Sequence, residues 1–379
     1  MERIDHEPLF DSEYFLDLLS FSYPIVWDDI WNASTGPVYR VNGASLDCCS
    51  LMLQQDIRLG KRLTKSLEFK FRLWQNEEKE HHDFHYQIEL EQKLGLGFSA
   101  SLFGEPTFHK EDSDIGFGLA YEQPQVWRAA ARHTFVDFNF NKRGSTTQRY
   151  ATYPASDDFI VAARPHPDWM VSTDIEVDSP LRREVPDENL TFSYRRTALN
   201  LTLRHAPPER FSRKLSYGYE FEAKGDLYNP VPAGKISLSA RRQVHHVLAA
   251  VEGPLSDRDR LEAGHMLLLR AARADNANDG DLGLFYRRWE AQPYARWRRN
   301  LKPWLTSELA GFFSFGENRQ RGANKAGSLL ATVAEAKLGA GADFVFGPSG
   351  RIGLYGTFDM DEIGSQPFDG GNIRAMFLF

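Results

Sequence analysis

Gly371-Asn372-Ile373-Arg374-Ala375-Met376-Phe377-Leu378-Phe379 closes the sequence on an aromatic residue. In an extended strand neighbouring side chains point to opposite faces. Ile373, Ala375, Phe377 and Phe379 then share one face, with Arg374 on the other. The same period of two runs through most of the chain. Leu67, Phe69, Phe71 and Leu73 alternate with Glu68, Lys70 and Arg72. A slip of one residue would exchange the faces, so the pattern fixes register. Over 84–102 the even positions are apolar, including Phe84, Tyr86, Ile88, Leu90, Phe98 and Leu102, with a turn expected near Gln92 and Lys93. The alternation returns in 115–121, 169–177, 215–221, 305–315, 336–346 and 352–360. This gives about sixteen to eighteen segments of roughly ten residues, the length of a strand that crosses a bilayer.

Composition fits that reading once the alternation is considered. The chain has 379 residues, of which 26% are charged and 13% aromatic, and its mean hydropathy is -0.47. Such averages look water-soluble, but a barrel exposes only alternate residues to lipid and turns the others toward a polar lumen. No apolar run approaches the ~18 residues that a membrane-spanning helix needs. A net charge of -7 with dispersed basic residues argues against a nucleic-acid partner. The two cysteines, Cys48 and Cys49, are adjacent and would point to opposite faces of a strand, so they read as unlinked thiols. No zinc or haem spacing is present, and neither metal nor cofactor is implied.

Connections provide a second signal. Short turns expected around 60–62, 165–168, 253–254 and 347–350 alternate with polar stretches at 75–83, 104–114, 179–189, 275–281 and 317–327. Two regions conflict with a simple alternation. Over 126–141 an outward face of Val136, Phe138 and Phe140 would also turn Arg128 and Arg132 outward, so a bulge or strand end is expected there. The run 241–246 must sit at an interface or line the lumen, because an outward arginine at the bilayer midplane costs ~2 to 4 kcal/mol.

The terminal segment, with its alternating apolar residues and final aromatic, resembles the closing strand of a Gram-negative outer-membrane β-barrel. At the level of pattern the resemblance covers about residues 44–379. It implies an all-β, membrane-spanning antiparallel barrel of about 16–18 strands. It further implies a place in the bacterial outer membrane, contact with outer-membrane lipid, and recognition by the barrel-assembly machinery through Phe377 and Phe379. Residues 1–43 are expected to be a helical connector, since Phe10, Tyr14, Phe15, Leu18, Leu19 and Phe21 recur at three- and four-residue spacings. That segment is expected to pack against the barrel end or inside its mouth, the alternatives being a plug or a docking element for a periplasmic partner. Residues 1–6 are not apolar enough for an export signal, which the barrel reading expects to have been removed.

The polar face supplies the candidate site. Glu68, Lys70, Arg72, Glu89, Glu220, Glu222, Arg241, Arg270, Glu308 and Arg351 are expected to line a pore, while Phe69, Phe98, Tyr219, Phe313 and Leu354 face lipid. So many charges stay hydrated only in a wide barrel. Arginines crowd the second half, among them Arg195, Arg196, Arg204, Arg242, Arg273, Arg287, Arg288, Arg296, Arg298 and Arg299. They suggest either headgroup contacts or an anion path. Among eleven histidines, His85, His133, His245 and His265 fall in strands, and none belongs to a recognisable catalytic motif. The expected function is therefore a channel for hydrophilic or charged solutes rather than an enzyme. The alternatives are an exopolysaccharide export barrel and a sheath for a partner such as a multihaem cytochrome.

Overall fold

The computed structural model describes residues 38–378, apart from 48–50, 78–81, 107–112, 124–125, 143–146, 208–209, 278, 322–327, 348–349, 362 and 366. Most of the expected N-terminal helical segment, both cysteines and Phe379 therefore lie outside the described residues. The first strand already begins at Val38, ahead of the expected change of period at 44.

The strands are β1 (Val38–Asp47), β2 (Leu51–Arg62), β3 (Leu67–Glu77), β4 (His82–Gly95), β5 (Phe98–Glu105), β6 (Asp114–Gln123) and β7 (Trp127–Phe135). Next come β8 (Arg149–Thr152), β9 (Ala155–His166), β10 (Trp169–Val185), β11 (Leu190–His205), β12 (Ser212–Tyr228) and β13 (Leu238–Pro254). The series ends with β14 (Asp259–Asn276), β15 (Asp279–Lys302), β16 (Leu305–Arg321), β17 (Ser328–Phe346), β18 (Gly350–Asp359) and β19 (Phe368–Leu378). Every pairing is antiparallel.

The sheet closes on itself. β1 pairs with both β2 and β19, and each later strand pairs with its successor except around β8, where β7 joins β9 directly. The short β8 pairs with the upper part of β10 and continues the line of β9. Tyr153 and Pro154 separate β8 from β9, and β10 slips register between Asp178 and Leu181, around Pro180. Proline lacks a ladder donor and has a fixed φ, so two prolines at one level account for the break. Among the described residues the closed ring thus has eighteen strands, β8 being a displaced piece that continues β9. The closing strand β19 sets Ile373 and Ala375 beside Leu354 and Ile352 of β18, in the expected register.

A contact on β3–β7 identifies the inner face. Arg132 of β7 reaches Glu89 of β4, passing over the Phe103 ring of β5 at 4.2 Å. Three strand intervals of ~4.8 Å separate those strands in a flat sheet. Only the concave side of a curved wall shortens that span enough for one side-chain pair. The opposite face carries the exposed apolar side chains Leu102, Phe117, Leu119, Phe159, Leu201, Leu269, Phe313, Leu338 and Leu354. Phe98, Phe313 and Leu354 are 52%, 48% and 42% exposed, as expected of a lipid-facing set. With no water in a bilayer core, a closed sheet is the way strands satisfy every backbone group there.

Inside, aromatic rings lie flat over glycines of neighbouring strands. Tyr294 covers Gly264, Tyr355 covers Gly341, Phe103 covers Gly116 and His246 covers Gly218. A Cβ on Gly341 would sit 2.2 Å from Tyr355 Cδ1, so the missing side chain is what admits the ring. Tyr294 and Tyr355, with Ala250, Met266, Ala310 and Phe312, make an apolar patch within the otherwise polar inner wall.

The two ends differ. One end has the connections 63–66, 96–97, 167–168, 255–258 and 303–304, with Phe98, Tyr121, Trp127, Trp169, Trp297 and Trp304 near it. Such a ring of aromatics marks a membrane interface. The other end has the connections 106–113, 136–154, 229–237 and 360–367. Three sequence expectations change here. The stretches 179–189 and 275–281 are largely strand ending in tight hairpin tips rather than loops. Strand pairing continues through them because charged residues beyond a bilayer are hydrated on both faces. The turn expected at Gln92 and Lys93 falls at 95–97, where Gly95, Leu96 and Gly97 all have φ between +52° and +96°, a conformation that glycine adopts freely. In 126–141 the expected conflict resolves at the end of β7. Trp127, His133 and Phe135 take one face up to residue 135, which leaves Arg128 and Arg132 inside.

Candidate functional site

The inner wall is the candidate site, and pairing divides it into two regions. From β9 to β13 it is open and acidic. Midway along these strands Asp158, Asp174, Glu176, Asp178, Glu220 and Glu222 surround Arg196 and Arg242, while Arg204, Lys214 and Lys224 share the face toward the strand ends. Arg196 contacts Glu176 at 2.7 Å, Glu220 at 3.5 Å and Asp178 at 3.9 Å. Arg242 donates to Glu220 at 2.7 Å and lies 3.0 Å from Glu222. Side chains here keep a fifth to more than a third of their surface in solvent, as a hydrated lumen requires.

From β14 to β18 the wall is drier, and its charges are matched. Arg296, 4% exposed, bonds Glu262 and lies 3.7 Å from Glu308, which is 3% exposed. Arg298 Nε donates to Glu308 at 2.8 Å, and Tyr294 donates to Glu262 at 2.8 Å. Higher up, Arg288 donates to Glu290 at 2.9 Å, and Ser314 bonds the same carboxylate. Arg351 and Tyr355 both donate to Asp343, at 2.9 Å and 2.8 Å. A buried charge is tolerable only with such partners. Gln292, fully buried between these groups, has neither amide atom bonded.

A third group lies on β3–β7. Lys70 bonds Glu91 and lies 3.8 Å from Glu89, and Glu89 also takes Arg132. Glu68 is buried beside them, at the register position facing Glu91. Arg72 sits across from Gln87 on the same face.

Of the residues expected to line a pore, Glu68, Lys70, Arg72, Glu89, Glu220, Glu222, Arg270, Glu308 and Arg351 lie on the inner face. Arg270 lies over the Tyr286 ring at 5.6 Å. Arg241 does not join them. Adjacent residues of a strand point opposite ways, and Arg242 takes the inner position, so Arg241 is exposed on the outer face with Gln243 and His245. The crowded arginines sort by the same parity. Arg196, Arg204, Arg242, Arg270, Arg288, Arg296 and Arg298 point inward, whereas Arg195, Arg241, Arg273, Arg287 and Arg299 point outward. Several inward arginines are committed to carboxylates, so the cationic ring considered from sequence gives way to ion pairs.

Sequence reading missed the inward roles of Arg132 and Asp158, and the matching of Asp343 with Arg351. The face of each is fixed by alternation, but its partner depends on register between strands. Two histidine–carboxylate contacts were also not foreseen: His85 with Glu105 at 2.6 Å and His133 with Asp157 at 2.7 Å. Outside the spanning strands, at the long-connection end, Tyr150 bonds Asp137; burial and that carboxylate raise its pKa above the ordinary phenol value.

No family model matches the chain, and no curated protein does. Among solved structures the chain is similar to a bacterial polysaccharide outer membrane secretin, with 11% identity and a TM-score of 0.43 over 91% of this chain and 99% of that one. It is also similar to outer-membrane expressed OmpT of Vibrio cholerae, with 7% identity and a TM-score of 0.40 over 90% of this chain and 97% of that one. A third similar structure is Pseudomonas aeruginosa OccK10, with 11% identity and a TM-score of 0.41 over 90% of this chain and 97% of that one.

Proposed function

We propose that the chain is a channel of the bacterial outer membrane that passes hydrophilic solutes and favours cations. The observation that carries this reading is the open acidic strip midway along β9–β13, where the six carboxylates Asp158, Asp174, Glu176, Asp178, Glu220 and Glu222 surround Arg196 and Arg242. Rings and strips of carboxylates favour cations at close quarters. The apolar exterior supports the membrane location, and the longer connections are taken as extracellular.

Reversal potentials in planar bilayers under a potassium chloride gradient test it. The full chain is expected to prefer potassium. In a variant carrying Asp174→Asn, Glu176→Gln, Glu220→Gln and Glu222→Gln, the preference is expected to fall toward parity while the barrel still assembles. An unchanged reversal potential overturns the acidic-strip reading. A folded protein that conducts nothing overturns the open channel and favours a partner-filled sheath.

Assembly gives a second prediction. Phe377 and Phe379 are proposed as the signal read by the assembly machinery, so deleting Phe379 is expected to slow insertion far more than it alters the finished barrel. One apolar side chain contributes only ~1.5 to 3 kcal/mol by burial. Pulse-chase of heat-resistant, folded protein measures the rate, and an unchanged rate overturns the assignment.

A further inference from the structure

Two pairs of arginines face each other on the outside of the barrel. Arg241 of β13 is the direct cross-strand partner of Arg273 on β14, and Arg287 of β15 is the direct partner of Arg319 on β16. All four side chains are exposed. Like charges placed directly opposite each other across a sheet repel. Two nearby carboxylates offset part of this: Asp275 accepts from Arg273 at 2.8 Å, and Glu317 bonds Arg319. Among the described residues Arg241 and Arg287 have no carboxylate partner.

Their height is uniform. Each of the four lies ten residues along its strand from an outward residue near the short-turn end: Val251, Ala263, Trp297 and Leu309 respectively. At a rise of ~3.3 Å per residue and a tilt of ~40°, ten residues climb about 25 Å, the height of the apolar band of a membrane barrel. The arginines therefore stand where hydrocarbon gives way to headgroups. Below them the face of β14–β16 is apolar, with Leu269, Trp289 and Phe315 exposed, while Gln243 and His245 adjoin Arg241 on β13. The cluster continues through Arg195 on β11, level with Arg241, toward Arg182 on β10, whereas the outward positions at the matching end of β6, β7 and β9 are Ile115, His133, Phe135 and Asp157.

We propose that this face of β13–β16 binds the phosphate groups of anionic lipid in the leaflet on the long-connection side, with the acyl chains lying on the apolar surface beneath. Guanidinium groups match phosphate oxygens bidentately and are weakly hydrated, which suits a headgroup plane. Lipid phosphate would also relieve the repulsion within each arginine pair. The proposal rests on the membrane reading above, though not on the lumen being open.

The test uses the full chain in a neutral detergent, with bound lipid counted by native mass spectrometry. Dioleoylphosphatidylglycerol, dioleoylphosphatidylcholine and inorganic phosphate are titrated separately and in competition. The anionic lipid is expected to bind at least about tenfold more tightly than the zwitterionic one, since each basic residue near an anionic surface contributes ~1 kcal/mol. The combined variant Arg241→Gln, Arg273→Gln, Arg287→Gln, Arg319→Gln is expected to lose that preference. A control variant, Arg213→Gln with Arg299→Gln at the opposite rim, is expected to keep it. Equal binding of the anionic lipid by the fourfold variant and the full chain overturns the proposal. So does displacement of the lipid by an equal concentration of inorganic phosphate, which would make this a free-anion site. Conductance of the same preparations separates this result from the channel reading: a silent protein that still loses lipid in the variant supports the arginine face and overturns only the channel.

Discussion

Replacing Phe313 by arginine is expected to destabilise the barrel by ~2 to 4 kcal/mol, a shift of roughly thirty- to several-hundredfold in the folding equilibrium. Phe313 is 48% exposed on the outer face of β16, between Leu309 near the aromatic girdle and Arg319 at the headgroup end. A guanidinium there has hydrocarbon around it and must stretch toward either interface. Asp174→Arg is the control, because Asp174 is an exposed residue of the hydrated inner wall and its replacement should shift stability by less than ~1 kcal/mol. Guanidinium unfolding in lipid vesicles measures both. Equal losses would mean that the two faces see the same solvent, which is incompatible with a membrane-spanning barrel.

The second large effect is expected inside. Arg296→Met removes the cation shared by Glu262 and Glu308, and Glu308 is only 3% exposed. Breaking a buried pair by removing one partner costs ~3 to 5 kcal/mol, because the carboxylate left behind has lost its counter-charge. Arg298 still donates to Glu308, so the loss should fall chiefly on Glu262 and on the second oxygen of Glu308. Adding Glu262→Gln to Arg296→Met should recover a large part of the stability. If the single variant loses less than ~1 kcal/mol, water reaches this wall and the dry, matched description of β14–β18 is wrong.

These two predictions draw on information of different kinds. The two faces were legible in the sequence because a period of two is a local property: Glu68, Lys70 and Arg72 could be separated from Phe69 and Phe71 without knowing any partner. A barrel of about sixteen to eighteen strands also followed, since strand length and segment count are local. The strand end at Phe135 lies within 126–141, where the clash of faces predicts a bulge or strand end, whereas parity failed as a guide where two like residues adjoined, as at Arg241 and Arg242. Hairpin tips within 179–189 and 275–281 were hidden because polarity marks the edge of the hydrocarbon, not the end of hydrogen bonding. The matching of charges could not be read at all. Arg132 lies 43 residues from Glu89 in sequence, and their contact depends on closure and curvature. The acidic character of β9–β12 likewise emerges only when strands that are distant in sequence are laid side by side.

The barrel wall is of unequal height. β5, β6 and β7 have 8, 10 and 9 residues, whereas β14, β15 and β17 have 18, 24 and 19. With ~3.3 Å per residue and a ~40° tilt, eight extra residues raise one side of the rim by about 20 Å. Seen from the long-connection end, the strand rim is therefore a scoop rather than a ring, backed by a tall wall and tipped toward the low strands. Above β5–β7 the rim is continued by the connections 106–113 and 136–154 instead of by longer strands. The tall wall carries the outward arginine pairs, so the lipid site proposed there and the low strands lie on opposite flanks of the ring.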